Sequence, residues 1–396
     1  MTVPGAGTPK PDSSAALLQR LTTLRPMIAA RVSEIEAARH LPADLAAAMA
    51  EAGVFRMLVP GSMGGLELPV AAAMEVLEQL GAADASVGWC AMIGATSALP
   101  AAYLEPAVAR EIFGRPGTIA GGVYAPMGKA VLEGDHYRLD GRWQWASGSA
   151  NCHWLMGGAM VFAGGKPRLL PGGLPDTRML LFPAGRARLI DSWHVAGLCG
   201  TGSGEMEVAD LLVPATHSVS LVGDRPREPG PLYVFPVFGL LALGIAAVML
   251  GNAAAAIADL VSLAGGKVPQ GGRKRLADRA LAQIELARAE AELRAARAFY
   301  YRAIETAWAR ASGAGIIEPT LRAELRLAAT HAVRTAAMVT RSMYDLGGGS
   351  ALFLASPLQR RFRDAHAGTQ HMMVAPATYE LVGRVLMGVP TDTSQL

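Results

Sequence analysis

The chain has 396 residues, of which 51% are hydrophobic and 17% are charged. This composition excludes an intrinsically disordered chain, and the length is typical of two or three domains. Lysine and arginine total 36 and aspartate and glutamate total 33, so the net charge is only +3, which argues against a nucleic-acid or anionic-membrane partner. The three cysteines, Cys90, Cys152 and Cys199, are odd in number and widely spaced. We therefore predict neither a disulfide framework nor a metal site.

Two stretches bear on targeting. Residues 1–15 are rich in proline, glycine and serine without an apolar core, so we predict a disordered lead and not a signal peptide. The stretch Val234–Ala258 is apolar and long enough to span a bilayer. It is rich in alanine and glycine, contains Pro236 and Asn252, and has no Trp/Tyr belt or asymmetric Lys/Arg flank at its two ends. We therefore predict a helix buried on all sides in a cytoplasmic protein that does not cross a membrane.

Three regions follow one another along the chain. Helical spacing of apolar residues predicts an N-terminal helical domain over residues 16–117. Short alternating or β-branched segments, broken by glycine and proline, predict a middle β domain over residues 118–230. Residues 231–396 are helical again and include a long helix at Leu276–Ala311, followed by helical stretches at Pro319–Leu346 and Pro357–Met387.

Three segments in this order resemble the acyl-CoA dehydrogenase superfamily, and the resemblance covers about residues 20–388. Trp145-Ala146-Ser147 is similar to the family's flavin-contacting strand, and Thr201-Gly202-Ser203 lies in a second segment that ends in Val213-Pro214. The third segment is Arg363-Asp364 followed by His371. The resemblance implies an α+β, acyl-CoA dehydrogenase-like fold: an N-terminal helical domain, a middle β-barrel or sandwich domain and a C-terminal four-helix bundle.

Within this superfamily the sequence looks more like the two-component flavin-dependent monooxygenases, the group D hydroxylases, than the dehydrogenases. Ala125–Ala130 stands where dehydrogenases carry a Thr-Glu-Pro stretch. The resemblance implies reduced FMN or FAD supplied by a separate flavin reductase, with O₂ as co-substrate. No Gly-x-Gly-x-x-Gly between a strand and a helix indicates an NAD(P)H site in this chain. The family also implies a homo-oligomer, a tetramer.

The absence of a catalytic carboxylate separates the two chemistries. A dehydrogenase needs a carboxylate base for the α-proton of a thioester. In that family the base follows the Arg-Asp pair by a few turns, but residues 365–379 contain no Asp or Glu and the next carboxylate is Glu380. The position used by other relatives falls in the uncharged apolar stretch. The sequence thus favours a C4a-hydroperoxyflavin that oxygenates a small organic substrate, aromatic or a natural product. The alternatives are a flavin oxidoreductase with a displaced base and a non-catalytic scaffold.

Several residues take roles that the resemblance implies. His371, near the vacated base position, would hydrogen-bond the flavin–oxygen adduct or the substrate, unless it is a satisfied histidine between helices. Ser147 would bond flavin N5 or the pyrimidine edge, with Gly148 beside it, or it is an ordinary turn serine. Trp145 would stack on the isoalloxazine. In a regular strand, Trp143 would share its face, as a core residue or a second wall.

The remaining candidates carry weaker signals. Thr201 and Ser203 lie in a glycine-rich turn that would bind phosphate or ring oxygens, or form a plain hairpin. Lys267 falls where dehydrogenases hold the flavin phosphate, and the Gly347–Ser350 turn resembles one that meets flavin from a neighbouring subunit. Trp89, Thr96 and Tyr124 are candidate walls of a substrate pocket or core residues. Some hydroxylases carry a histidine near Thr96, and its absence here argues against phenol hydroxylation.

Overall fold

The computed structural model describes residues 12–170, 172–221 and 223–396. The predicted lead lies outside these residues as far as residue 11, whereas residues 12–15 belong to the first helix. Within the described chain, the N-terminal region contains six α-helices: α1 Asp12–Ala30, α2 Val32–Ala38, α3 Ala43–Ala52, α4 Val70–Ala83, α5 Ala85–Thr96 and α6 Pro106–Phe113.

Helix α5 is the central element of this region. It begins at Asp84, whose extended backbone separates it from α4 and whose Oδ1 accepts a hydrogen bond from the Val87 amide at 3.0 Å, as is typical of an N-cap. Eleven of its twelve residues are buried. The helix therefore has no solvent-exposed face, and its side chains contact the helices on one side and the sheet on the other.

The middle region forms one mixed sheet. Its eight strands in the described residues are β1 Ala120–Glu133, β2 His136–Trp143, β3 Trp154–Ala163, β4 Lys166–Pro167, β5 Thr177–Pro183, β6 Arg188–Ile190, β7 Glu205–Pro214 and β8 Ser218–Val219. The strand order is β6-β7-β2-β1-β3-β5-β8, with β4 paired to β3. Only β1 and β3 run parallel among the paired strands described.

One edge of this sheet positions the site. Strands β2 and β7 are antiparallel, and Trp143 at the end of β2 pairs with Met206 near the start of β7. Strand β2 ends at Trp143 and β7 begins at Glu205. The turns that follow β2 and precede β7 are therefore neighbours, although they are about sixty residues apart in the sequence.

The C-terminal region is helical. Its six α-helices in the described chain are α7 Pro231–Val234, α8 Val237–Gly266, α9 Ala280–Ala314, α10 Pro319–Gly347, α11 Pro357–Gly368 and α12 Ala377–Leu386. The apolar stretch forms α8, and every residue from 239 to 253 is buried. Buried residues make up 83% of its most apolar window, so this helix lies in the core, as predicted from its composition.

Glycines bring α4, α5 and α8 into close backbone contact. A Cβ at Gly251 would lie 1.9 Å from the Glu78 carbonyl oxygen, and one at Gly81 would lie 2.4 Å from the Val248 carbonyl oxygen. A Cβ at Gly88 would lie 2.8 Å from the Gly81 nitrogen. The alanine- and glycine-rich composition that distinguished this stretch from a membrane span is thus used for tight helix packing.

The last predicted helical stretch is interrupted. Helix α11 ends at Gly368 and α12 begins at Ala377, and between them lies a single 3-10 turn, Met372–Val374. A Cβ at Gly368 would lie 2.5 Å from the Met249 sulfur, and Pro376 removes a backbone donor immediately before α12. The expectation that His371 lies in a helix is wrong: it lies in the loop, immediately before the 3-10 turn.

Candidate active site at the junction of sheet and helices

Three buried hydroxyls form a continuous chain where the turns beside β2 and β7 meet. The Ser147 and Ser203 Oγ atoms are 2.6 Å apart, and Ser203 Oγ is 2.6 Å from Thr201 Oγ1. Thr201 Oγ1 donates to the Leu198 carbonyl at 2.7 Å. At the other end, the Trp89 indole Nε1 donates to Ser147 Oγ at 3.2 Å.

The number of available hydrogens gives this chain a direction. Each hydroxyl carries one hydrogen, and that of Thr201 is used on the Leu198 carbonyl. Thr201 therefore accepts from Ser203, and Ser203 accepts from Ser147. Because Ser147 already accepts from the Trp89 indole, its hydroxyl retains one lone pair and no free hydrogen. Any further partner of Ser147 must be a donor.

The backbone of both turns supports this arrangement. The Ala146 amide donates to the Gly204 carbonyl at 3.0 Å, and the Gly148 amide donates to the Thr201 carbonyl at 2.8 Å. Gly148 has φ of 70°, a left-handed conformation that glycine adopts without steric cost. The serine and threonine side chains are thus held by backbone pairing between the turns as well as by one another.

The two tryptophans of the first segment have opposite environments. Trp143 is fully buried and its indole donates to the Gly158 carbonyl at 2.8 Å, which is a core role. Trp145 has φ of 64° and is 62% exposed. The expectation that they share a strand face is wrong, because β2 ends at Trp143. An exposed flat aromatic ring therefore lies two residues before the buried Ser147.

His371 lies against the same cluster from the helical side. Its ring and that of Trp89 have centroids 5.7 Å apart and meet edge to face at 61°. Its Nδ1 accepts from the Met373 amide at 3.2 Å. Burial, and then the positive charge of Arg326, lower the pKa of His371 to about 4. At neutral pH the imidazole is therefore uncharged, and with Nδ1 as acceptor the hydrogen is on Nε2.

Helix α11 supports the far end of the hydroxyl chain. Asp364 Oδ1 accepts from the Leu198 amide at 2.6 Å, so the Leu198 residue is held at its nitrogen by Asp364 and at its oxygen by Thr201. Burial, and then the negative charge of Asp84, raise the pKa of Asp364 to about 7. Arg363 pairs with Glu36 and also donates to the Ala196 carbonyl. The Arg-Asp pair thus joins the bundle to both other regions.

No carboxylate among the described residues hydrogen-bonds to Trp89, His371 or the three hydroxyls. Asp364 is nearby, but its oxygen binds the Leu198 amide. Glu380, the first carboxylate after it, is exposed on α12. The groups gathered here are hydroxyls, an indole and a neutral imidazole, and an acid in position to remove a proton from a substrate carbon is not among them.

Thr96 and Tyr124 bind each other apart from this cluster. The Tyr124 hydroxyl donates to the Thr96 carbonyl at 2.9 Å, and Thr96 Oγ1 donates to the Met92 carbonyl at 2.8 Å. Thr96 lies about two turns beyond Trp89 on α5, and Tyr124 reaches it from strand β1. Of the three predicted pocket walls, therefore, only Trp89 contacts the hydroxyl chain in the described structure.

Lys267 lies at another place in the described fold. It directly follows α8, and its Nζ donates to the Gly347 carbonyl at the end of α10, where a cation stabilises the helix terminus. The predicted phosphate ligand and the predicted glycine-rich turn are thus neighbours. Neither forms a hydrogen bond with the hydroxyl chain in the described residues. Their roles toward a flavin stay predictions.

A narrow cavity of about 10 Å³ lies behind Ser147 and Gly148. Its walls come mainly from apolar residues, which are Leu41, Ala46, Phe55, Cys90, Ile93, Gly94, Ile119, Ala120 and Cys152. Burial raises the pKa of Cys152 to about 12 and raises that of Cys90 as well, so both thiols are protonated. The sequence prediction missed this pocket. Its only local signal was the position of Ile93 and Gly94 one turn after Trp89 on a wholly apolar helix.

Comparison with known proteins agrees with the fold. Family models described as "Acyl-CoA dehydrogenase, N-terminal domain" and "Acyl-CoA dehydrogenase, C-terminal domain" match residues 22–105 and 243–376. The chain therefore belongs to the acyl-CoA dehydrogenase family. Its similar relatives place it, within that family, among the oxygenase components of flavin-dependent monooxygenases.

Three of these relatives illustrate the similarity. Indole-3-acetate monooxygenase of Pseudomonas putida is 36% identical over 362 residues, covering 91% of this chain and 90% of that protein. The FADH2-dependent resorcinol hydroxylase, oxygenase component, of Rhizobium sp. (strain MTP-10005) is 30% identical, covering 94% of each. The solved structure of XiaF from Streptomyces sp. in complex with FADH2 and glycerol has a TM-score of 0.87 at 26% identity, covering 96% of this chain and 97% of that one.

The residues at the junction fit the reduced flavin that this family uses. A flavin needs an aromatic or apolar surface for its ring and polar groups at its edge. The exposed Trp145 is an aromatic surface of this kind, and Ser147 and His371 are polar groups that would suit the edge. The acceptor-only state of Ser147 matches a ring that carries hydrogen on N5, as reduced flavin does.

Proposed function

We propose that the protein is the oxygenase component of a two-component system. It takes reduced FMN or FAD from a separate reductase, supports an oxygen adduct at flavin C4a and transfers one oxygen atom to a small organic substrate. The second oxygen atom leaves as water, and the flavin supplies the two electrons. The observation that carries this proposal is the neutral His371 beside Trp89 and Ser147 at a junction without a catalytic carboxylate.

Ser147 would accept a hydrogen bond from flavin N5–H. The direction of the hydroxyl chain supports this role, because its hydrogens all point toward the Leu198 carbonyl. Holding hydrogen on N5 slows the loss of peroxide from the flavin. Trp145 would stack on the ring, Gly148 and Thr201 would support the turn against it, and Lys267 would bind a flavin phosphate.

His371 would act through its Nε2–H. A neutral imidazole donates one hydrogen bond. A protonated imidazolium would also be an acid and would transfer a proton to the leaving oxygen too early. With Nδ1 already used by the Met373 amide, Nε2 is the nitrogen available to the oxygen atoms or to the substrate. The same nitrogen would relay a proton when oxygen transfer is complete.

The substrate would be a small aromatic compound. The cavity behind Ser147 has mostly apolar walls, so a pocket that widens from it on binding would favour a flat hydrocarbon ring over a sugar or a charged chain. The relatives' names, indole-3-acetate monooxygenase and resorcinol hydroxylase, refer to compounds with one or two aromatic rings. Trp89 would form one wall, with Thr96 farther along the same helix and Tyr124 on strand β1.

The protein would function as a cytoplasmic homotetramer. Leu352, Phe353 and Leu354 are largely exposed immediately after the Gly347–Ser350 turn, and a second subunit would cover them. A tetramer of 41.3 kDa chains by light scattering is the expected result, and a monomer would contradict this assembly.

Stopped-flow spectroscopy tests the reaction. Protein loaded anaerobically with reduced FMN, and in parallel with reduced FAD, is mixed with O₂. We expect a long-lived near-ultraviolet absorbance band of the C4a adduct before oxidised flavin appears. Direct conversion to oxidised flavin would contradict the proposal. Bleaching of protein-bound oxidised flavin by an acyl-CoA, without a reductase, would instead support the dehydrogenase-like alternative.

A further inference from the structure

Arg326 on α10 is a buried charge without an ionic partner. Its side chain is only 4% exposed, and no carboxylate in the described chain lies within 4.0 Å of it. Arg361, which is similarly buried, pairs with Asp259 at 2.5 Å. Burying an arginine costs considerable free energy unless it is paired, so the contacts that Arg326 does make define its role.

Those contacts converge on the residue that holds His371. Arg326 Nη2 donates to the Met373 carbonyl at 3.0 Å, and the amide of Met373 donates to His371 Nδ1 at 3.2 Å. Arg326 Nη1 donates to the Gln395 carbonyl, and its Nε is buried without a hydrogen-bond partner among the described residues. The guanidinium thus fastens the 371–374 turn to α10 and to the C-terminal tail.

We propose that Arg326 is a positioning residue for His371: by holding the Met373 peptide it fixes the imidazole with Nδ1 as acceptor and Nε2–H as donor. The inference adds to the proposed function a residue that touches neither flavin nor substrate. The positioning of His371 by Arg326 stands on the contacts alone. Its importance for catalysis rests on the proposed function, in which His371 contacts the oxygen atoms or the substrate.

The charged groups around the turn support this assignment. On α10, Arg334 Nη2 donates to the Thr369 carbonyl at 3.2 Å, so a second arginine fastens the start of the loop. Helix α5 contributes no charged residue, and in α8 the only one, Asp259, pairs with Arg361. On α12, Tyr379 and Glu380 are exposed. Arg326 is therefore the charge that acts on the His371 imidazole, and it favours the neutral form.

Histidine NMR of the flavin-free protein tests the proposal. In ¹⁵N-histidine-labelled protein, the His371 signals are assigned by their loss in His371→Ala. In the wild type we expect protonated Nε2, unprotonated Nδ1 and a midpoint near pH 4. In Arg326→Met we expect that midpoint to rise by about one pH unit or more toward 6.5, and the two nitrogens to exchange their hydrogen.

Two variants separate positioning from general packing. Arg322 lies one turn earlier on α10 and donates to the Ile317 carbonyl at 2.8 Å, so Arg322→Met should leave the His371 signals unchanged. Deleting residues 395–396 removes the Gln395 contact and the buried Leu396, which packs with Ala323 and Val382, but leaves the contact with Met373. It should therefore shift the midpoint less than Arg326→Met does. Arg326→Lys keeps the charge and a donor, and should restore most of the wild-type titration.

Several outcomes would overturn the assignment. These are a wild-type His371 with hydrogen on Nδ1, an unchanged titration in Arg326→Met, or an equal shift in the tail deletion. The wild-type and Arg326→Lys spectra keep the test decisive if Arg326→Met does not fold. Because the readout needs neither flavin nor O₂, failure of the oxygenase proposal and failure of this one are observed separately.

Discussion

The two sides of the site differ in how completely their polar groups are satisfied. On the sheet side, the hydroxyls of Ser147, Ser203 and Thr201 all have partners, and the turns that carry them are paired through backbone hydrogen bonds. On the helical side, Arg326 Nε, Thr330 Oγ1 and Arg334 Nε are buried without partners in the described residues. These three residues are spaced by four along α10 and include both arginines that fasten the His371 loop.

This difference teaches that the two sides are organised for different tasks. A fully bonded chain has one arrangement and resists change, so the sheet side presents a fixed acceptor. Unsatisfied buried groups are costly, and they are often found where a protein trades stability for function. The helical side, which carries His371, is therefore the side where a ligand or water can still improve the bonding.

The largest expected effect comes from removing the His371 imidazole. His371→Ala should shorten the lifetime of the flavin–oxygen adduct by about 100-fold, since deleting one oriented donor commonly costs this much. Stopped-flow absorbance with reduced FMN measures the lifetime, and a peroxide assay measures the H₂O₂ released. His366→Ala is the matched control, because His366 bonds the Phe362 carbonyl on α11 and not the site. Equal lifetimes in wild type and His371→Ala would remove His371 from the mechanism.

A smaller effect should follow from breaking the hydroxyl chain in the middle. In Ser203→Ala, the Ser147 hydroxyl loses its acceptor and can turn its hydrogen toward a ligand, which suits the bare N5 of oxidised flavin. The preference for reduced over oxidised FMN should fall by about 10-fold, the value of one hydrogen bond. Anaerobic and aerobic binding titrations measure it. Ser149 is a buried serine nearby that is not part of the hydroxyl chain, so Ser149→Ala should keep the preference for reduced FMN. An unchanged preference in Ser203→Ala would refute the direction assigned to the hydroxyl chain.

The smallest expected effect is on the pH dependence of stability, through Asp364 on α11 at the far end of the hydroxyl chain. The pKa of Asp364 is raised to about 7 from an ordinary value near 4, so the folded protein binds the extra proton between these values and loses stability as pH rises through them. Asp364→Asn keeps an oxygen for the Leu198 amide and does not titrate. Its stability relative to wild type should therefore improve from pH 5 to pH 8 in urea unfolding. An unchanged relative stability over that range would mean that Asp364 is already ionised in the folded protein at pH 5.

Much of the fold was accessible from the sequence because its signals are local or familial. The apolar, glycine-rich stretch indicated a buried helix. The close backbone contact between α4 and α8 at Gly81 and Gly251 explains why small residues are needed there. The three segments that carried the family resemblance identified Ser147, Thr201 and Ser203. Their contact depends on the antiparallel pairing of β2 with β7, which no property of either segment alone reveals.

Other features of the site depend on tertiary contacts that leave no local pattern. The alternation Trp143-Gln144-Trp145 reads as a strand, but the chain turns at Trp145 into a left-handed conformation. The composition around His371 reads as a helix, but α11 stops where Gly368 meets Met249. Arg326 lies 45 residues before His371 in the sequence, and only the folded chain brings it to the Met373 carbonyl.

The glycine contacts among α4, α5 and α8 limit how this enzyme could be re-engineered. Gly88 immediately precedes Trp89 and leaves no room for a side chain against Gly81, so any larger residue there would rotate α5 and move the indole away from Ser147. Attempts to widen the substrate range should leave these backbone contacts alone and vary the pocket from its outer wall. Phe55, which touches Gly94, is the position where a smaller side chain would add volume without disturbing the indole.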